Sequence, residues 1–263
     1  MSDFTTQGFL SDDARNGVKR LETDFSALWA EARVVNEFAQ AFQYQLEIHK
    51  RSLVEMLAAV MYARALSTYQ GVLVVLERGM EQQAKMLLRC GFESVFPLVA
   101  ISKDAGFAEK LLVSEELERL KGLNKLIRYW ERSGDKDGQL EDARALAAEL
   151  KGQLAKVDGK KMSIVDAAEA AGLVDWYDTA YSFLSNTVHS SIRSLEEHLH
   201  IGTDGDVEAV KNEPSFEEAG KLLVTGMESM FHALRAAAEV FGKDVGEFVE
   251  RSSERVREAH PAS

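Results

Sequence analysis

Between Val18 and Gln70 the chain carries neither glycine nor proline. A stretch of that length without a turn signal must be filled by long helices. Breaks within it are expected near Val34–Asn36 and His49–Ser52. Only Pro97, Pro214 and Pro261 occur in 263 residues, so most of the remaining chain is equally uninterrupted. Much of it is Ala, Leu, Glu, Lys and Arg, which lose little side-chain freedom in a helix. The one β-like run, Val72 to Leu76, sits inside a helical pattern and reads as buried helix. The expected fold class is all-α: a single helical bundle of about eight to ten helices, with no sheet.

The elements follow from caps and breakers. Ser11 with Asp12 and Asp13 marks a helix start, its acids in the first turn. The helix bearing Leu53, Met56, Leu57, Val60, Met61, Leu73 and Leu76 is apolar on most sides, which predicts the most buried element. Gly79 suits its C-terminal turn. A helix over Met80–Lys103 is expected to kink at Pro97 and to stop at Asp104–Gly106. Another ends near Arg132, before the loop 133–138, and an amphipathic helix covers Leu140–Val157. Ser163 caps a short helix that Gly172 stops, and Asp175–His200 reads as one long helix. After the acidic loop Gly202–Glu213, Pro214, Ser215 and Glu218 form a capping box for a helix to Phe241. The expected organisation is one helical domain over 1–263. A core bundle spans about 52–241, the helices of 11–49 pack on it, and a C-terminal helix over 244–258 is peripheral.

The net charge of −12 excludes indiscriminate binding to nucleic acid or an anionic membrane, but not a local basic face. A single cysteine, Cys90, permits no internal disulfide and fits a reducing compartment. The N-terminus lacks the pattern of a signal peptide, and no apolar run suggests a transmembrane helix. The expectation is a cytoplasmic protein with no membrane partner.

Three polar constellations carry candidate chemistry. On the helix expected over Asp175–His200, the core stripe Tyr181, Leu184, Val188, Ile192, Leu195 and Leu199 is bordered on one side by Ser182, Ser185, His189, Arg193, Glu196 and His200. Polar groups along one edge of a core are half-buried, where ligand contacts and perturbed acidities concentrate; a solvated shoulder is the bland alternative. Glu81, Lys85, Arg89 and Glu93 are spaced by four beside Ala84, Leu88, Phe92, Val95 and Val99. They can pair among themselves, and Arg89 and Glu93 are placed to meet the His189 edge. Lys121, Lys125, Arg128 and Arg132 share a face, with Tyr129 and Trp130 nearby. Such a strip can follow a phosphate backbone, although cations also collect near helix C-termini.

Glu196 with His200 and Glu228 with His232 are i,i+4 pairs that adjacent antiparallel helices could combine into a metal site, and Glu197 with His200 makes one Glu-x-x-His. A di-iron bundle needs two such motifs, so no metal and no cofactor are assigned.

Two stretches carry a resemblance. Ala84-Lys-Met-Leu-Leu-Arg89-Cys-Gly-Phe-Glu93 resembles the Ala-x-x-Leu-x-Arg-x-x-x-Glu segment of an uncharacterised bacterial helical family, in which Ala63–Leu66 and Val72–Gly79 also find counterparts. Tyr181-Ser-Phe-Leu-Ser185-Asn-Thr-Val-His189 resembles that family's Tyr-x-x-x-Ser-x-x-x-His signature. More distantly, such bundles are similar to HEPN-type domains, many of them ribonucleases of toxin–antitoxin and phage-defence systems. Their signature, an Arg and a His separated by four to six residues, is met by Arg193 and His198. That resemblance implies a metal-independent cleavage of RNA. Arg193 would hold the phosphate, and His198 or His189 would move protons, in a site assembled across a homodimer.

Three classes of function stay open: an endoribonuclease acting on RNA; a non-catalytic sensor, adaptor or antitoxin-like module binding a protein partner; and a metal-dependent helical enzyme. Catalytic candidates are Arg193, His198 and His189; binding candidates are Arg89, Glu93, Tyr181, Ser185, Lys121, Lys125, Arg128 and Arg132.

Overall fold

The computed structural model describes residues 3–49, 51–134, 138–157, 159–188, 198–203 and 205–260, apart from the side chains of Asn186 and Val188. The short helices α1 (Phe4–Gln7), α2 (Asp12–Arg15) and α3 (Val18–Asp24) lead into α4 (Ser26–Gln43). Then follow α5 (Leu53–Leu76), α6 (Glu81–Lys103), α7 (Phe107–Ser133), α8 (Gln139–Leu154) and α9 (Ile164–Ala171). The next segment begins with α10 (Val174–Trp176), widens into a π-turn over Tyr177–Tyr181, and continues as α11 (Ser182–Val188). The ribbon β1 (Leu199–Ile201) and β2 (Val207–Val210) precedes α12 (Ala219–Phe241) and α13 (Gly246–Ala259).

The fold is essentially all-α, as its composition requires, with one correction. Leu199–Ile201 and Val207–Val210 form an antiparallel two-stranded ribbon, with Leu199 opposite Val210 and His200 opposite Ala209. The continuous helix expected to His200 is therefore not formed: β-branched residues on both sides of the Gly202–Gly205 turn favour extended pairing there. The break expected at Val34–Asn36 is also absent, because α4 runs through it and buries Ala32, Val35 and Ala39 on one side.

The core is the contact of α5, α6 and α12, with α4 across α5 and α12. Tyr62 and Tyr69 pin α5 to α4: their hydroxyls donate to the Ala39 and Ala32 carbonyls, each at 2.8 Å. Against expectation, α5 is not the most buried element. Met56, Val60 and Val74 stay exposed, whereas Ser94 to Ile101 of α6 are buried without interruption, and α12 is buried along most of its length. By length and composition α5 is apolar enough to cross a membrane, contrary to the expectation that no such run exists. Here it buries Ala58, Tyr62, Ala65, Leu66, Tyr69 and Val72 in the bundle.

Several caps match their residues. Ser11 accepts the Ala14 N–H, and Ser163 and Asp166 complete a capping box at α9. Gly79 takes φ 69° and its carbonyl accepts the Ser215 N–H; an added Cβ would lie 2.7 Å from Cβ of Pro214, so glycine is required. The capping box expected from Ser215 and Glu218 is replaced by a long-range one. Glu81, buried at the start of α6, accepts the Ser215 hydroxyl at 2.7 Å and the Glu218 N–H at 2.6 Å. Helix α12 consequently begins at Ala219, anchored by a carboxylate from another helix.

A cluster where α6 meets the π-turn

The strip Glu81, Lys85, Arg89 and Glu93 faces the segment around Tyr181 and the entry to α12. Arg89 is held on three sides. Its Nη1 lies 2.9 Å from Glu93 Oε1, its Nε donates to Ser185 Oγ at 3.4 Å, and its guanidinium stands over the Tyr181 ring at 5.1 Å. Tyr181 in turn donates its hydroxyl to the same Glu93 oxygen at 3.2 Å. Four binding candidates that lie far apart in the chain thus form one cluster.

Local structure explains the convergence. One turn of α6 separates Arg89 from Glu93, so both project from the same face. The π-turn adds a residue to its helical turn, and single π-turns recur at functional sites because they re-aim a side chain. The Ser182 hydroxyl donates to the Tyr177 carbonyl at 2.8 Å and closes that wide turn. Trp176 against Phe92, and Tyr181 against Phe96, seat the turn on α6. Burial pushes the Tyr181 hydroxyl up to about 12, with Glu93 raising it and Arg89 opposing, so near neutral pH it remains a protonated donor.

One turn toward the α6 N-terminus, Lys85 is 2% exposed, pairs with Glu218 and lies 6.0 Å from the centre of the Phe183 ring. The strip therefore combines structural roles, the hydrogen bonds to Glu81 and the ion pair of Lys85 with Glu218, with a half-buried arginine cluster farther along α6.

Glu93 also lines a groove of about 430 Å³ between α5, α6, the base of α7 and the start of α9. Its walls are aliphatic, from Leu57, Val60, Met61, Pro97, Leu111, Leu112, Met162 and Ile164, and Arg64 and Glu115 are also in its lining. The groove was not legible as such in the sequence; Arg64 was visible only within the Ala63–Leu66 match.

The other candidates fall elsewhere. His189 and Arg193 lie outside the described residues. His198 is exposed and in 3-10 conformation directly before β1, not on the long α-helix expected there, and its carbonyl accepts the Lys211 N–H. It lines a separate hollow of about 370 Å³ with Lys211 and Glu81, Glu213, Glu217 and Glu218. None of Arg89, Glu93, Tyr181 or Ser185 lines that hollow, and its carboxylates outnumber its cations. Lys121, Lys125, Arg128 and Arg132 are all exposed on the outer part of α7, together with Tyr129. Lys121 approaches Glu118 at 3.6 Å.

Only part of the metal constellation lies among the described residues. His200 is on β1, 3.7 Å from Glu208, and Glu196 and Glu197 lie outside the described residues. On α12, burial beside Arg235 and Lys103 pushes His232 down to about 4, and its ring meets Trp176 edge-on. Among the described residues no group of three His, Cys, Asp or Glu is placed to share a metal ion.

A family model described as a family of unknown function, DUF5677, matches residues 55–207, more than half of the chain. That span contains Arg89, Glu93, Tyr181 and Ser185. No curated protein and no solved structure matches the chain.

Proposed function

This chain belongs to the DUF5677 family of unknown function, and we propose that it is a HEPN-like, metal-independent endoribonuclease working at the Arg89 cluster. The observation that carries the reading is the setting of Arg89. A guanidinium fixed by Glu93, Ser185 and the Tyr181 face, yet 17% exposed, is a preorganised donor fork for a phosphate. The strip Lys121, Lys125, Arg128 and Arg132 supplies a second place for the backbone of the same strand.

In this reading Arg89, with Arg193, holds the scissile phosphate. His189, four residues beyond Ser185 in the chain, takes the proton of the RNA 2′-hydroxyl. The 2′-oxygen then bonds to phosphorus, the bond from phosphorus to the 5′-oxygen breaks, and that oxygen leaves with a proton drawn from water, to which His189 returns the one it took. The products carry a 2′,3′-cyclic phosphate and a 5′-hydroxyl. Action as a homodimer in the cytoplasm completes the proposal.

The test is incubation of the purified chain with total RNA in EDTA, with end-group analysis of the fragments. Cyclic phosphate ends that disappear in Arg89→Ala and His189→Ala support the reading. Loss in Arg193→Ala and His198→Ala alone would move the chemistry to that pair, and no cleavage at all would refute it.

A second reading, a non-catalytic module that docks a basic segment of a protein partner, is favoured by one observation. The hollow beside His198 gathers Glu81, Glu213, Glu217 and Glu218. Capture of a lysine-rich peptide, lost in Glu213→Lys with Glu217→Lys, would support it.

A further inference from the structure

We propose that the aliphatic groove beside Glu93 is a nucleobase pocket that selects bases carrying an exocyclic amino group, and so sets which nucleotide lies at the Arg89 cluster. The proposal rests on the RNA reading for the identity of its ligand and on the groove for its selectivity.

The groove joins two kinds of surface. Val60, Met61, Pro97, Leu112 and Ile164 give it aliphatic walls against which a flat ring can bury apolar surface. Its polar side chains, Arg64, Glu93, Ser94, Ser114, Glu115 and Ser163, can fix a ligand's orientation. Glu93 is the informative one. Its Oε1 receives both Arg89 and Tyr181, while among the described residues its Oε2 takes no hydrogen bond. An alkyl chain filling the groove would cover that oxygen without satisfying it, at a cost. A base amino group would satisfy it.

The chemistry discriminates. Adenine, guanine and cytosine each carry an amino group that donates to a carboxylate oxygen, whereas uracil has none: where cytosine carries its amino group uracil presents a carbonyl oxygen, which would meet Glu93 acceptor to acceptor and leaves only its ring N–H as a donor. Arg64, exposed and without an ion pair among the described residues, lines the same groove and suits a phosphate. Volume agrees as well, because about 430 Å³ is ample for a base and its ribose. Glu115 adds a second carboxylate to the lining, so a base amino group finds acceptors in this groove and Arg64 is its one cation for the phosphate.

AMP, GMP, CMP and UMP are titrated into the full chain by calorimetry, and the experiment is repeated with Val60→Asp and Leu112→Asp. Both positions are exposed, at 60% and 43%, so the variants should retain the fold. The three amino-bearing nucleotides are expected to bind about tenfold or more tighter than UMP, as one charge-assisted hydrogen bond allows. Both variants are expected to abolish that difference. Equal binding of all four, binding of none, or selectivity untouched by both variants would overturn the pocket. The RNA reading fails separately. Selective nucleotide binding without RNA cleavage leaves the pocket and removes the nuclease, while cleavage without base preference, unchanged in both variants, does the reverse.

Discussion

Arg89 and Tyr181 end on a single oxygen: the guanidinium at 2.9 Å and the phenol at 3.2 Å both meet Glu93 Oε1, with the cation 5.1 Å from the ring centre. The three groups therefore form a closed set in which each orients the other two. Tyr181→Phe removes one donor and leaves the ring in place. It should cost about 1 kcal/mol in urea denaturation and weaken RNA cleavage far more than stability. Equal losses in both would mark the cluster as structural only.

These residues were visible in the sequence because their spacing by four is the helical repeat itself. Arg89 with Glu93, and Tyr181 with Ser185, had to share faces, and both faces bordered apolar stripes. The partnering of Glu81 with Ser215 and Glu218 could not be read the same way. A local capping box and a cap from a distant helix use the same residues, and only packing decides between them. The ribbon at Leu199–Ile201 was hidden because a stretch so short also fits a helical stripe. The aliphatic groove was hidden for another reason: periodicity reports which residues are apolar but not which of them a neighbouring helix leaves uncovered, as at Val60 and Leu112.

Glu81 should matter for stability rather than chemistry. Its side chain is buried and anchors the start of α12. Glu81→Ala would leave the Ser215 hydroxyl and the Glu218 N–H without their acceptor, at about 2–3 kcal/mol. Glu81→Gln, which keeps one acceptor oxygen, should lose less. Chemical denaturation of the two variants separates them, and equal losses would contradict the capping role.

Tyr62 and Tyr69 stand two helical turns apart and each donates to a carbonyl of α4. Replacing either with Phe should cost about 1 kcal/mol. The double variant should lose the sum, because sites this far apart without shared partners behave independently. A double-mutant cycle checks it.

Stability should fall in mild acid through His232. Its folded value, pushed down to about 4 by burial and then by Arg235 and Lys103, lies below the ordinary histidine value. The unfolded chain therefore takes up a proton first. The contribution is complete above about pH 6.5 and is lost as pH falls toward about 4, up to about 3 kcal/mol in all. Glu228, raised by burial on the same helix, acts in the opposite sense and gains as pH falls. Melting temperatures of wild type and His232→Phe between pH 7 and pH 4 should converge as pH falls; parallel curves would exclude His232 as the source.

The central claim is that Arg89 binds a phosphate rather than merely pairing with Glu93, and Arg89→Lys tests it most directly. Lysine keeps the charge beside Glu93 but loses the planar fork that a phosphate engages. RNA cleavage in EDTA and urea denaturation are measured on the same preparation. Near-wild-type stability with cleavage reduced about a hundredfold or more is expected. Cleavage that survives intact in a stably folded Arg89→Lys protein would contradict it.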